Sequence, residues 1–548
     1  MKPTKYLLYS LGWTVLLCIQ SCQHPLKDIR VVVSSAILEY TTVLQITDGQ
    51  GNAVNNVSVT LSGPDAEYIY NLEGRRQFQL RDGLLGLGVH PQHEPTEDNP
   101  VTFYVELSGE DYLTQVIPVI ITSELRSSLN AVSVLRLSDA PPGVAVYRPT
   151  VSLVDGRIGE TLMLTTPLSE TSEQTTRITL RAGTQFLDAD GNIITGNTLS
   201  GLIVNTDTDK ETSLDIIPGG SLATSNVYTN GNNSPVGGAF NPAALTNINF
   251  FVDGAPVSYF SQPIEIAQQI DDGFYNLGTN TQVQAGDALS VYSHTAADFR
   301  WTYEQETVVT QTDELLFASY ETDHLTWFMS GNFAPGCPQP ANITLNASWF
   351  EAGITYPLTI EAVMAGKVVR RFVASVNATY NSVQLTYLPT AGVSIRIKDD
   401  REAILGEEML NSTCGGTTSI TLADPSTVND PRVTLQLYVR CPGQTEVVDV
   451  LPTFYLYYRE RGTGSQEFKF LGVVVNGFIS TTLLTPETVR YDFKAIWGDQ
   501  VKIVGDHVVH EDNSGTVGTA PGDIIGEHAG ATNLAILTQK CDELLPTQ

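Results

Sequence analysis

Apolar and polar residues alternate with a period of two from one end of this chain to the other. Val101, Phe103, Val105 and Leu107 are interleaved with Thr102, Tyr104, Glu106 and Ser108. Far downstream, Val433, Leu435, Leu437 and Val439 are interleaved with Thr434, Gln436, Tyr438 and Arg440. Successive strand side chains point to opposite faces, so each run buries one face of a sheet and wets the other. Turn signals separate the runs: Asp48-Gly49, Asp190-Gly191, Asp253-Gly254, Gly462-Thr463-Gly464 and Trp497-Gly498-Asp499. Amphipathic helical patterns are scarce, and Ile264 to Ile270 is the one segment read as a helical turn or two. The expected class is all-β, built of tandem β-sandwiches of immunoglobulin-like or transthyretin-like type.

A chain of 548 residues exceeds what one hydrophobic core can organise. The reading divides it into a leader (1–21), a tether (22–29) and sandwiches over 30–137, 138–335, 336–430 and 431–548. The break after 137 rests on Pro141-Pro142, since paired prolines cannot join a central ladder. Charged residues make up only 16% of the chain, which fits a globular β-rich protein rather than a coiled coil or a disordered tail.

Lys2 and Lys5 precede an apolar run from Tyr6 to Ile19 that is too short to serve as a stable membrane span. The run ends in Ile19-Gln20-Ser21-Cys22, which resembles a bacterial lipobox, with Gln20 as its unusual member. The resemblance implies acylation of Cys22, and several acyl chains such as palmitate suffice for stable anchoring. The expected location is the bacterial outer membrane. Gln23 to Asp28 lacks the acidic run that often marks surface export in such bacteria, so the periplasmic and cell-surface faces both stay open. The 60 acidic residues outnumber 30 basic ones, a balance that repels nucleic acid and anionic headgroups.

Beyond Cys22, Cys337, Cys414, Cys441 and Cys541 remain after removal of the leader, an even number that favours two disulfides in an exported protein. Three connectivities are open. Sequential pairing, Cys337 with Cys414 and Cys441 with Cys541, keeps each bond inside one expected sandwich.

Two further resemblances follow from local motifs. Ile46-Thr47-Asp48-Gly49-Gln50-Gly51-Asn52-Ala53-Val54, with the strand Val57 to Leu61, resembles the carboxypeptidase-regulatory-like (transthyretin-like) sandwich. Ile178 to Phe186 leads into Asp188-Ala189-Asp190-Gly191-Asn192 and Thr195-Gly196. Together with Trp301 and His324-Leu325-Thr326-Trp327-Phe328, this is similar to large surface domains of Bacteroidota and of cartilage intermediate layer proteins. Those domains are related to the sandwich of ankyrins and netrin receptors. Members of that group are mostly non-catalytic extracellular modules, so the resemblance implies a binding or structural role.

Several groupings could carry chemistry. Asp188, Asp190 and Asn192 are the candidates for a calcium ion, but Gly191 and the missing downstream Glu depart from an EF-type loop. A plain Asp-Gly turn is expected there. Asp207, Asp209, Glu211 and Asp215 read as a solvated acidic loop. His507 and His510 precede Glu511 and Asp512, yet residues three apart on a strand face opposite ways. His90 and His93, beside Glu94, sit in a proline-containing loop. No cofactor is therefore expected. His324-Leu325-Thr326 matches the tripeptide at which adhesion-receptor ectodomains cut themselves: the histidine would take the Thr326 hydroxyl proton for attack on the Leu325 carbonyl. That step needs a twisted peptide. Leu325 to Phe328 reads instead as a relaxed strand.

The reading favours a lipid-anchored structural, adhesive or binding scaffold rather than an enzyme, with an envelope protein or glycan as partner. Its alternatives are self-processing at Leu325-Thr326 and an unrecognised envelope enzyme. Replacing Cys22 by Ala should move the protein from the membrane fraction to the soluble fraction. Continued sedimentation with membranes, without lipid mass on the N-terminal peptide, would contradict the anchor.

Overall fold

The computed structural model describes residues 31–34 and 38–516, apart from 73, 97, 170, 352–353, 391, 411–412, 426–431, 441–447, 452, 463–467 and 498–499. Almost every element is a strand, so the chain is all-β. Among the described residues no helix is long and apolar enough to cross a membrane. The chain divides into two compact units, Leu38–Asp430 and a second made of 1–37 with 431–548.

In the larger unit one eight-stranded sheet runs through two sandwiches. Its order is Ile404–Met409, Val393–Lys398, Tyr356–Met364, Lys367–Val376, Ser127–Val134, Thr41–Asp48, Leu84–Val89 and Ile69–Asn71. A three-stranded sheet of Ser58–Ser62, Val101–Gly109 and Tyr112–Ile121 closes one half, burying Leu44, Ile46, Phe103, Val105 and Ile117 in a common core. Phe103 and Val105 are fully buried while Glu106 is exposed, the face selection that their alternation dictates. Another three-stranded sheet of Ser382–Leu385, Ala341–Asn346 and Thr417–Thr421 closes the other half over Ile343, Ile360, Val383 and Ile395. The stretches 30–137 and 336–430, read as separate sandwiches, are thus joined at the pairs Val373↔Leu129 and Ala374↔Ser128.

Residues 144–335 form a further, larger layer whose strands are long enough to bend between pairing partners. Val236–Val252 spans 17 residues and Arg300–Thr312 spans 13. The segment Ile264 to Ile270 is not helical. It belongs to the strand Tyr259–Ile270, with Ile264, Ile266, Gln268 and Ile270 buried in alternation. Gln268 breaks the apolar run yet points inward, where Nε2 donates to Thr246 Oγ1 (3.0 Å) and Oε1 accepts from Ser330 Oγ (2.6 Å). Thr176 and Asn205 extend this buried network. Polar groups that satisfy one another inside a core fix register, because any slip would leave them unpaired.

In the second unit, Val433, Leu435 and Leu437 pack with Leu456, Tyr491 and Phe493. The strand Val31–Ser34 runs parallel to Val448–Leu451 in the register Val31↔Val448. It therefore belongs to the sheet of the C-terminal unit and not to the sandwich of residues 38–137, where the sequence placed it.

Cys337 and Cys414 form a disulfide with a Cα–Cα separation of 5.2 Å. Each cysteine lies shortly before one of two strands, Ala341–Asn346 and Thr417–Thr421, that pair in parallel from Asn342↔Thr417. Parallel pairing sets their approaches side by side. Cys441 and Cys541, like Cys22, lie outside the described residues. The bond links residues 77 apart, a loop whose closure stabilises by about 4 to 5 kcal/mol through chain entropy. The double variant Cys337→Ser/Cys414→Ser should lose a large part of that in denaturant unfolding of this unit. An unchanged midpoint and slope would contradict it.

Candidate functional site

A cleft of about 330 Å³ opens within the Leu38–Asp430 unit. It is lined by the turn Ala365-Gly366 between two strands of the shared sheet, by parts of 208–222, by 273–275 and by Asn241. Positive φ at Ala365 (49°) and Gly366 (80°) makes that turn tight.

The acidic segment 207–215 is a folded element rather than the solvated loop expected of it. Asp207 is buried and accepts from the backbone N–H groups of Glu173 (3.1 Å) and Asp209 (3.2 Å). Ser213, also buried, shares its one hydroxyl proton between the carbonyls of Asp207 and Lys210. These bonds turn the chain into the short helix Glu211–Leu214. Glu211 then reaches Arg371, which also binds Glu361 through Nε (2.8 Å).

Glu361 is the anchor of this arrangement. Ile360 and Ala362 enter the sandwich core, so Glu361 faces the other side of the sheet, yet its side chain is 0% exposed. Arg371 and Arg396 stand opposite it on the two neighbouring strands, and Lys398 completes the shell at 3.0 Å. Burial pushes the Glu361 carboxyl up, but hydrogen bonds from Lys398 and Arg371 outweigh it and hold the pKa below the ordinary value.

The cleft wall carries unspent hydrogen-bonding capacity. Asp215 is half-buried, with no hydrogen bond or ion pair among the described residues, and burial pushes its carboxyl up to about 6 against the pull of Arg371. Asn241 is 1% exposed; its Nδ2 donates to the Tyr275 carbonyl (2.8 Å), but its Oδ1 has no partner among the described residues. Arg370, opposite Ala362, turns its guanidinium to the sandwich side, where Nη1 donates to Thr386 (3.3 Å). Lys367 is committed, donating to the Thr208 carbonyl (2.7 Å). Tyr275 is 42% exposed at the rim. Sequence reasoning missed Asn241 and Glu361, although each is a lone polar residue inside an apolar run and carried that much signal.

Apart from the acidic segment, the residues singled out from sequence fall elsewhere. His324 ends the strand Leu315–His324, and Trp327–Pro335 begins after a bend, so Leu325 and Thr326 lie between strands and not in a continuous one. The first strand pairs with Tyr259–Ile270 and the second with Val236–Val252 and Ala288–Thr295. The bend is where the chain changes partners. There the Thr326 hydroxyl donates to the His294 carbonyl, and the Thr326 carbonyl accepts from Ile248 N–H (3.0 Å). The His324 ring engages Thr322 (3.2 Å), Asp323 (3.3 Å) and Glu304 (3.7 Å). Nucleophile and base are thus engaged with different partners.

Asp188 accepts from the backbone N–H groups of Asp190 (2.9 Å) and Asn192 (2.8 Å), and hydrogen bonds led by the one from Asn192 lower its pKa. It caps an Asp-Gly turn, as Asp48 does for Gln50 and Asn52. His510 pairs with Glu487 (2.5 Å), and His507 lies on the strand Gln500–Val508 across from Tyr491. His93 binds Asp65 (2.9 Å) and stacks on Tyr68, while His90 accepts from Gln92 N–H. Among the described residues no three His, Cys, Asp or Glu side chains gather as a metal site would require.

No protein-family model matches the chain, and no curated protein matches it. Similar solved structures include the Bacillus anthracis TIE protein, at 9% identity over 68% of this chain and 57% of that one, with a TM-score of 0.13. The chain thus spans little more than half of that protein. The Streptococcal ancillary pilin is 8% identical over 43% of this chain and 94% of that one, with a TM-score of 0.13. BcpA, the major pilin subunit of Bacillus cereus, is 9% identical over 70% and 99%, with a TM-score of 0.12. At such identities and scores no role passes from these proteins to this chain.

His294 supplies a test of the core beside Thr326. It is 4% exposed and packed against Phe299 and Trp301, its Nε2 has no partner among the described residues, and burial drives its pKa down to about 3. The unfolded chain takes up this proton near pH 6.5, before the folded one can. The stability present above pH 6.5 should therefore fall as pH drops from there towards 3, by about 1.4 kcal/mol per pH unit from this residue. Denaturant midpoints measured against pH should show a shallower fall for His294→Phe. Parallel profiles would contradict the assignment.

Proposed function

We propose that this chain is a lipid-anchored envelope protein of the bacterial outer membrane, a non-catalytic scaffold whose sandwiches present a binding surface to an envelope protein or glycan. The observation that carries this reading is the eight-stranded sheet that passes through two sandwiches of the Leu38–Asp430 unit. Backbone ladders do not hinge as linkers do, so these sandwiches hold their mutual position under load and fix the cleft beside them. The lipobox-like Ile19-Gln20-Ser21-Cys22 supports the anchor. The motif resemblance of 46–61 to carboxypeptidase-regulatory-like sandwiches, and of roughly Asn130 to Cys337 to surface domains of Bacteroidota, supports an extracytoplasmic module.

Self-processing at Leu325-Thr326 is the alternative, and the hydrogen bonds around the bend weigh against it. With the hydroxyl proton of Thr326 given to the His294 carbonyl and the His324 ring turned to Thr322 and Asp323, attack on the Leu325 carbonyl would first require both groups to rearrange. The purified chain should run as one band on a denaturing gel. Two fragments near three-fifths and two-fifths of its length, abolished by Thr326→Ala, would overturn the non-catalytic reading.

A further inference from the structure

We infer that the cleft beside the Ala365-Gly366 turn is a saccharide-binding site, in which adjacent hydroxyls of a sugar donate to Asp215 and Asn241 while its ring lies against Tyr275. The inference rests on the binding-scaffold reading and names the class of ligand for it.

Asp209, Glu211 and Asp215 line the cleft together with Lys367 and Arg371, acids and bases side by side. An inorganic anion meets the acids, and a metal cation meets the bases. A neutral ligand avoids both penalties.

Unspent hydrogen-bonding groups narrow the class further. The protein leaves the Asp215 carboxylate and Asn241 Oδ1 as acceptors. Asn241 is the sharper clue, because a buried acceptor without a partner is costly by about 1–3 kcal/mol. An apolar ligand would leave that cost in place. A hydroxyl donates and still accepts, so hydroxyls on neighbouring carbons can serve carboxylate and amide at once.

The remaining surface fits the same class. Tyr275 presents 42% of its surface beside these polar groups, and an aromatic face next to hydrogen-bonding side chains matches the apolar C–H face of a pyranose. The backbone that carries Tyr275 is itself held by Asn241 Nδ2, so one side chain both positions the platform and offers an acceptor. A volume of about 330 Å³ lies at the small end for ligand clefts, suited to one sugar unit of a longer glycan.

The test is saturation-transfer NMR on the full chain, made soluble by Cys22→Ala, with glucose, galactose, mannose and N-acetylglucosamine as separate probes. At least one should receive transfer, and its Kd should rise at least tenfold in Asp215→Ala and in Tyr275→Ala. Tyr275 is exposed, so that variant keeps the test open if Asp215→Ala fails to fold. Silence of all four sugars, or binding unchanged in both variants, overturns the inference. So would binding of inorganic phosphate or calcium that Asp215→Ala abolishes while the sugars stay silent. Those outcomes leave the scaffold reading standing, since it is read from chain integrity on the gel and from the membrane fraction. Release of a reducing sugar from an oligosaccharide probe would instead overturn the non-catalytic reading.

Discussion

The Glu361 carboxylate is the contact on which the arrangement around the cleft depends. Withdrawing a carboxylate from water costs several kcal/mol unless its oxygens are met, and here Arg371, Arg396 and Lys398 meet them. The pairing joins three adjacent strands of the shared sheet on the face opposite the sandwich core. Arg371 then extends to Glu211 and seats the helical turn Glu211–Leu214 on that face. Lys367, from the same strand as Arg371, adds its bond to the Thr208 carbonyl. The cleft exists because this acidic segment is held at two points against one strand. Loss of Glu361 alone would leave three cations facing each other, a change of the kind that costs about 3–5 kcal/mol.

The shared sheet gives the same surface its frame. A short ladder between Lys367–Val376 and Ser127–Val134 connects stretches more than 200 residues apart in sequence. Strands on either side continue the sheet in both directions, and each half is closed by its own three-stranded layer. The disulfide from Cys337 to Cys414 secures the layer of the second half. Intervening residues 144–335 carry a core around Ile178, Phe250 and Phe328, share a second with the sandwich of Ile343 and Ile360, and set strand register with a buried polar network of Thr176, Asn205, Thr246, Gln268 and Ser330.

Local pattern made much of the fold legible. The alternation at Val101–Leu107 and Val433–Leu437 foretold both strand and buried face, because burial of one face leaves a period of two in the sequence. Cys337 and Cys414 were legible as a pair because sequential pairing of four cysteines keeps each bond inside one expected sandwich. Ile264–Ile270 misled because Gln268 interrupts the apolar series, and only the buried partners Thr246 and Ser330 explain why a glutamine points inward. Val31–Ser34 misled because proximity in sequence suggested the first sandwich, while its partner Val448–Leu451 lies over 400 residues away. The cleft was out of reach for the same reason. Asp215, Asn241 and Tyr275 share no motif and meet only once the strands have paired.

Hydrogen exchange followed by mass spectrometry on the full chain, across a denaturant series, tests most directly the claim that two sandwiches share one sheet and form one body. Amides of Thr41–Asp48 and Ser127–Val134 should lose protection in the same cooperative step as those of Tyr356–Met364 and Lys367–Val376. Glu361→Ala should shift that step for all four strands together. Loss of protection in Thr41–Asp48 and Ser127–Val134 at a clearly lower denaturant concentration, with Tyr356–Met364 and Lys367–Val376 still protected, would contradict the account.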